Sequence, residues 1–366
     1  MISDIRLQNF RSYIDEAFEF APGVNIIVGP NASGKTNLLE AVLVLARGAS
    51  YRVKDSELVR YDQPWARLDA HVSRDTADES MADTRTVKII NEPNPAKTYE
   101  IEGRVYRRLM PGKTLPVVVF EPNHLFMLSG SPDLRRSYLD DLLEQTDPTY
   151  GRLRKDYRRV LTQRNSLLKR SGMEAAGQIF PWNVRLSELG GSMATARMNL
   201  LDHMNAEAGE LYSSLARSDT EVELQYESKL PASGYATALL RALEHNFALD
   251  VARGFTGAGP HREDITVLIR GHSAQSSASR GEARTAVLML KVMELRLIEQ
   301  ARGIKPVLLL DDVFSELDGA RRQSLTNYLQ DYQTFITTTD ADVVVEHFMD
   351  RCLVIPMIRS IPGLPA

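Results

Sequence analysis

The strongest constraint on this chain is Gly29-Pro30-Asn31-Ala32-Ser33-Gly34-Lys35-Thr36, which fits G-x-x-x-x-G-K-[ST]. The pattern is informative when a buried strand precedes it and a helix follows at once, and both flanks comply. Val24 to Val28 is an apolar strand run, and Thr36 to Arg47 reads as a helix apolar over most of its surface. In that setting glycines let backbone N–H groups turn inward around phosphate oxygens. The helix points its positive end at the same anion, Lys35 reaches the β- and γ-phosphates, and Thr36 offers its hydroxyl to Mg²⁺. A plain glycine turn before a helix is the alternative, and the strand–loop–helix context weighs against it.

A second site lies far along the chain. Pro306-Val307-Leu308-Leu309-Leu310-Asp311-Asp312 is an apolar run ending in two carboxylates, the pattern of a central parallel strand with ligands at its carboxyl end. Asp311 would hold Mg²⁺, and Asp312 would accept the proton of an attacking water or orient it. An acidic helix cap is the alternative. Thr36 and Asp311 are 275 residues apart, so a large insertion separates the halves of one nucleotide site.

The 366 residues allow two or three domains. Residues 1–120 and 251–366 read as one α/β head. Strands fall at 2–10, 18–20, 24–28, 67–72, 86–90, 98–104 and 115–120, with a charged loop over 74–85. After the insertion come a strand at 264–269, a polar loop at 270–281 and a helix at 282–301. A strand at 306–310, a helix at 319–330 and a strand at 333–338 complete the head. Residues 121–250 read as a mainly helical second domain, with helices near 150–169, 183–216 and 235–249 and a strand near 221–226. No internal repeat and no sustained heptad occurs, so no long coiled coil is expected. Cys352 is the single cysteine, which excludes an intrachain disulfide and a cysteine-based metal site. Asp4 and Arg6 stand where a secretion signal needs apolar residues, and no run of about eighteen apolar residues occurs. A cytoplasmic protein without a membrane partner is the expectation.

The third motif is Ser279-Arg280-Gly281-Glu282, a serine and a glycine at the start of a helix. It reads equally as an anion-binding nest or as a polar loop capping a buried helix. One nucleotide cannot easily use this nest and the phosphate loop of one subunit, so a dimer in which the nest covers a partner's γ-phosphate is the natural arrangement.

The order of phosphate loop, S-x-G-E, Asp-Asp and Ser315-Glu316-Leu317-Asp318 resembles the ABC-type P-loop ATPase heads. More closely, the chain resembles the RecF family, through LQNFRSY (7–13), GPNASGKTNLLEAV (29–42), FEPNHLFMLSGSPDLRRSYLD (120–140), GFTGAGPHRED (254–264), SRGEARTAVLMLKVMEL (279–295), LLLDDVFSELD (308–318) and FITTTD (335–340). The resemblance implies an SMC-like head of mixed sheets and helices that dimerises head to tail on ATP and binds DNA. It implies slow, DNA-stimulated ATP hydrolysis and work with RecR and RecO in loading RecA at gaps. It implies nucleotide contacts from residues 29–36, Mg²⁺ at Thr36 and Asp311, the hydrolytic water at Asp312, and less directly Asn9 and Arg11 near the nucleotide. Ser279, Gly281 and Glu282 would serve the other subunit, with Asp318 at the dimer seam. Departures are Ala32 in place of the usual Gly, Asn123-His124 in place of an acidic pair, Ala283 in place of a frequent Gln, and no His after the 333–338 strand.

The net charge of −4 excludes a wholly basic nucleic-acid wrapper, yet residues 151–170 hold eight basic residues and one acid. Arg152, Arg154, Lys155, Arg158 and Arg159 there, and Arg104, Arg107 and Arg108 in a second basic turn, are candidate phosphate contacts. A solvated helix face explains them as well. Two other functional classes compete: an ATP-dependent scaffold without hydrolysis, and a transporter ATPase subunit, against which the RecF-like stretches argue.

Overall fold

The computed structural model describes residues 1–50, 52–73, 82–348 and 352–357. In chain order the elements are β1 (Ile2–Phe10), β2 (Tyr13–Glu19), β3 (Val24–Val28), α1 (Lys35–Arg47), α2 (Asp55–Leu58), β4 (Trp65–Ser73), β5 (Ala82–Ile90), β6 (Ala96–Ile101), β7 (Arg104–Tyr106) and β8 (Val117–Phe120). Then follow α3 (Pro132–Thr146), α4 (Tyr150–Ser171), α5 (Ala176–Ala216), β9 (Val222–Glu227), α6 (Tyr235–His245), α7 (Phe247–Arg253), β10 (Asp264–Ile269), β11 (His272–Ser273), α8 (Ala274–Ser277) and α9 (Arg280–Arg302). The last are β12 (Val307–Asp311), α10 (Val313–Glu316), α11 (Gly319–Leu329), β13 (Thr334–Thr338), α12 (Ala341–Phe348) and β14 (Cys352–Pro356). By packing, the chain forms two compact units, residues 1–123 with 294–366, and residues 124–293.

The first unit contains two sheets. One is antiparallel, in the order β2-β1-β4-β5-β6-β7, and the other is parallel, in the order β14-β3-β13-β12-β8. Helix α1 lies in a core shared with β1, β4 and β5 of the first sheet and β8, β12 and β13 of the second. That position explains why its sequence is apolar almost all round: Leu38, Leu39, Val42, Leu43, Val44 and Leu45 are all buried. Each such side chain contributes roughly 1.5–3 kcal/mol of burial. The helix stops at Gly48, whose φ of 80° is left-handed and whose N–H returns to the Val44 carbonyl. Strands β12 and β13 are buried at every residue, as parallel strands covered on both faces are. Because β13 sits between β3 and β12, the loops leaving all three open on one crevice.

Several elements differ from the sequence-based expectation. The strand expected over 98–104 is a hairpin, β6 and β7, turned at Glu102-Gly103, which both take positive φ. Within the expected 74–85 loop, residues 82–85 belong to β5 and pair with β4, while 74–81 lie outside the described residues. The expected 235–249 helix is two, α6 and α7, divided at Asn246.

In the second unit α4, α6 and β9 all pack on the 41-residue α5. A helix with neighbours on several sides needs no heptad seam, and α5 shows none. β9, β10 and β11 form an antiparallel sheet. This pairing ties residues 264–269 to 222–227, so the unit runs to Met293 instead of closing at 250, the boundary expected from sequence texture. The unit also holds buried ion pairs, Arg164 with Asp250 at 2.7 Å and Arg197 with Asp140 at 2.8 Å. His261 Nε2 faces the Thr256 carbonyl and Nδ1 faces the Tyr157 hydroxyl at 2.7 Å. Its proton therefore sits on Nε2, and burial pushes its pKa down to about 4.

Candidate nucleotide site

Residues 29–34 leave β3 and wrap toward the N-terminus of α1. Two glycines are required by geometry. A Cβ on Gly29 would lie 2.7 Å from Met357 O and from Ser33 Oγ, and Gly34 has φ of +101°. Ala32 takes φ of 65°, a conformation a glycine would adopt without the Cβ penalty. Lys35 folds back over the loop, donating to the carbonyls of Gly29 and Pro30 at 2.9 and 3.2 Å. Ser33 Oγ is buried without a hydrogen-bond partner. A buried hydroxyl without a partner, inside a cradle that a Cβ would fill, is what a loop built for an anion offers.

The acidic strand closes on this loop. The Thr36 hydroxyl donates to Asp311 Oδ1 at 3.0 Å, so the tertiary fold spans the 275 residues between them. The same carboxylate oxygen accepts from Thr337 Oγ1 at 2.8 Å. The Thr337 hydroxyl in turn accepts the Asp312 N–H at 2.9 Å, holding Asp312 at φ of 54°. Burial pushes the Asp312 carboxyl above its ordinary value, helped by the Asp311 charge and opposed by Lys35 and Arg52. Arg52 Nη2 lies 2.8 Å from Asp311 Oδ2 and 2.8 Å from Glu121 Oε2. A hydroxyl and a carboxylate form a hard oxygen donor set, which suits Mg²⁺.

The sequence assigned no role to Arg52, Glu121 or Thr337, although Glu121 and Thr337 fall within the RecF-like stretches 120–140 and 335–340. Arg52 lies in a charged loop without a motif, Glu121 is a single acid after a strand, and Thr337 reads as ordinary strand interior. Arg11, expected near the nucleotide, turns its guanidinium to Glu40 of α1 at 2.6 Å, and the Asn9 carbonyl accepts from the Arg60 N–H. Arg11 and Asn37 nevertheless line a cleft of about 850 Å³, together with Ser12, Arg60, Tyr61 and Asn91.

Residues 1–360 match the family described as the RecF/RecN/SMC N terminal domain. The DNA replication and repair protein RecF of Heliobacterium modesticaldum is 37% identical over 348 residues, 92% of each chain. The chain belongs to the RecF family. The RecF of Bacillus cytotoxicus is 34% identical, over 94% of this chain and 93% of its own. A solved structure described as the recombination mediator protein RecF with ATP, in the RecFOR pathway, superimposes with a TM-score of 0.81 at 31% identity, covering 93% of this chain and 92% of the other. An Smc head bound to the C-winged helix domain of ScpA shares the fold, with a TM-score of 0.52 at 15% identity. The ABC-type ATPase head is therefore the fold of the RecF-family chain, and no helix among the described residues is long and apolar enough to cross a membrane.

The third motif of this RecF-family chain forms a reciprocal cap. Ser279 Oγ accepts the Glu282 N–H at 3.2 Å, and the Glu282 carboxylate accepts the Ser279 N–H at 2.9 Å. These bonds hold the Glu282 carboxyl below its ordinary value. Gly281 lies in the first turn of α9. Asp318 caps α11 through the Arg321 N–H and pairs with the Arg321 guanidinium.

The basic candidates separate by burial. Arg152, Lys155, Arg158 and Arg159 are exposed on α4, and Arg104, Arg107 and Arg108 are exposed on and after β7. Arg154 is not. Its guanidinium is buried against Asp140, Asp141 and Glu144 at 3.2, 2.9 and 2.9 Å. This corrects its placement among surface contacts: the α4 face that carries it packs inward, and its charge is already neutralised. Arg164 of the same segment is likewise internal.

Proposed function

We propose that this protein binds ATP with Mg²⁺, dimerises on it and, in that state, holds DNA until hydrolysis releases it. The observation that carries the reading is the bond between Thr36 and Asp311, which joins the phosphate loop to the acidic strand. Lys35 would exchange its two loop carbonyls for phosphate oxygens, and Ser33 Oγ would gain a partner. The residues of the 29–36 loop would line the phosphates, and the cleft beside Arg11 and Asn37 would take base and ribose. Thr36 and Asp311 would hold the metal, which neutralises charge developing on the transferred phosphoryl group. Asp312, kept near the loop by Thr337, would orient the water and take its proton.

For the second copy, Ser279, Gly281 and Glu282 would approach the γ-phosphate, with Asp318 at the seam. The exposed arginines of α4 and of β7 would meet DNA phosphates without reading bases. Support for DNA, and for RecR, RecO and RecA as partners in recombinational repair, comes from the RecF family and the RecFOR description of its relative.

Sedimentation with and without ATP tests the core of this reading. Lys35→Ala should stay monomeric. Asp312→Asn should bind ATP and accumulate as a dimer that stays on DNA. A protein that remains monomeric at saturating ATP, in both wild type and Asp312→Asn, would overturn the clamp. ATP binding without turnover on any DNA would favour the scaffold.

A further inference from the structure

Helix α1 holds a single acid, Glu40, and it is buried among the apolar side chains, 4% exposed. A buried carboxylate is costly unless its oxygens are filled. Those of Glu40 are. Arg11 Nε donates to Oε2 at 2.6 Å, and Arg11 Nη2 donates to Oε1 at 3.1 Å. The Ser50 hydroxyl donates to Oε1 at 2.5 Å. Replacing a buried ion pair with well-packed apolar groups is often neutral or stabilising, so stability alone does not account for an acid at this position. What the acid does hold in place is Ser50.

Ser50 in turn holds the backbone beyond it. Its Oγ accepts the N–H of Arg52 at 3.0 Å and that of Val53 at 3.3 Å. A serine hydroxyl that accepts from the N–H groups two and three residues on fixes the direction of the chain there. The hydroxyl has one proton and gives it to Glu40, which turns its lone pairs toward those two N–H groups. From this backbone Arg52 places Nη2 2.8 Å from Asp311 Oδ2 and 2.8 Å from Glu121 Oε2. An unbroken series of bonds therefore runs from Arg11 through Glu40, Ser50 and Arg52 to Asp311. At its other end Arg11 lines the cleft of about 850 Å³ and donates to the Glu57 carbonyl at 3.1 Å.

We infer that Ser50, held by Glu40, is a positioning residue of the nucleotide site: it sets how firmly Arg52 engages Asp311, and so how readily Asp311 takes a divalent ion. The inference rests on the reading of Thr36 and Asp311 as the Mg²⁺ holders, and Ser50 acts there only through Arg52. A double-mutant cycle on the full-length protein tests it, with the Mg²⁺ concentration at half-saturation for binding of a fluorescent ATP analogue as the readout. Ser50→Ala should lower that concentration about threefold, because the N–H groups of Arg52 and Val53 each lose an acceptor and the guanidinium is held less firmly. In an Arg52→Gln background the same change should have no further effect, since the residue it acts through is gone. Ser50→Thr, which keeps the hydroxyl, should stay at the wild-type value. A merely structural Ser50 would lower the melting temperature and leave the Mg²⁺ requirement unmoved. That result, or an equal shift from Ser50→Ala with and without Arg52, would overturn the inference. A wild-type protein that binds no analogue at any Mg²⁺ concentration would refute the reading of the site and the inference with it, a failure visible before any variant is made.

Discussion

Replacing Arg52 with Gln should tighten divalent-metal binding. In the structure one guanidinium nitrogen neutralises both Asp311 and Glu121, each at 2.8 Å. A metal ion on Asp311 and Thr36 must compete with that charge. At about 4 Å and an effective dielectric of ~20, each pair of like unit charges costs about 4 kcal/mol, so the guanidinium has to leave when a divalent ion arrives. The energy lost in that exchange depends on burial. Exposed pairs are worth about 0–1 kcal/mol, and breaking a fully buried one costs about 3–5 kcal/mol. The Arg52 side chain is 33% exposed and that of Asp311 only 7%, which places the pair near 1.5 kcal/mol, or about tenfold in affinity. The assay is the Mg²⁺ concentration at half-saturation for binding of a fluorescent ATP analogue, in wild type and Arg52→Gln. The variant should need about a tenth of the Mg²⁺. An equal or higher requirement would refute the reasoning, because it would mean that Arg52 does not compete with the metal.

Three other outcomes follow from the geometry. His261 has a folded pKa of about 4 against an ordinary 6.5, so protonation favours the unfolded chain. Stability from this residue should be complete above pH 6.5 and fall by about 3 kcal/mol as pH drops toward 4, a slope that urea unfolding of His261→Gln should lack. Arg164→Met should cost about 3–5 kcal/mol, because Asp250 is left buried and unpaired, and hydrogen exchange should show the loss in α4, α5 and α7. Arg159→Ala should reduce the salt slope of DNA binding by about one, whereas Arg154→Ala should leave the slope alone and lower the melting temperature, a contrast that DNA titration at several salt concentrations measures.

The phosphate loop was legible because its chemistry demands glycines, a lysine and a threonine in a fixed order, whereas S-x-G-E left an anion nest and a helix cap equally open. The apolar runs of β3, β12 and β13 were legible because buried parallel strands have no polar face. Strand β14 went unread, since Cys352 to Pro356 is short and ends in proline, and it is a strand only because β3 offers it a partner. The α4 segment was legible as basic but not as two-faced. Burial of Arg154 depends on carboxylates of α3, which no local pattern announces.

The sequence by itself determined the ATPase-head class, the two halves of the candidate nucleotide site and the helical texture of the insertion, because local periodicity and consecutive motifs encode these. Only the tertiary structure decided which charge meets which. Arg154 stood in a basic run and Arg52 in a loop without a motif, and neither pattern announced its partners. Arg52 shares the Asp311 carboxylate beside the phosphate loop, and Arg154 is enclosed by three acids. That difference arises from residues 10 to 259 positions away in the chain, brought within hydrogen-bond distance by folding.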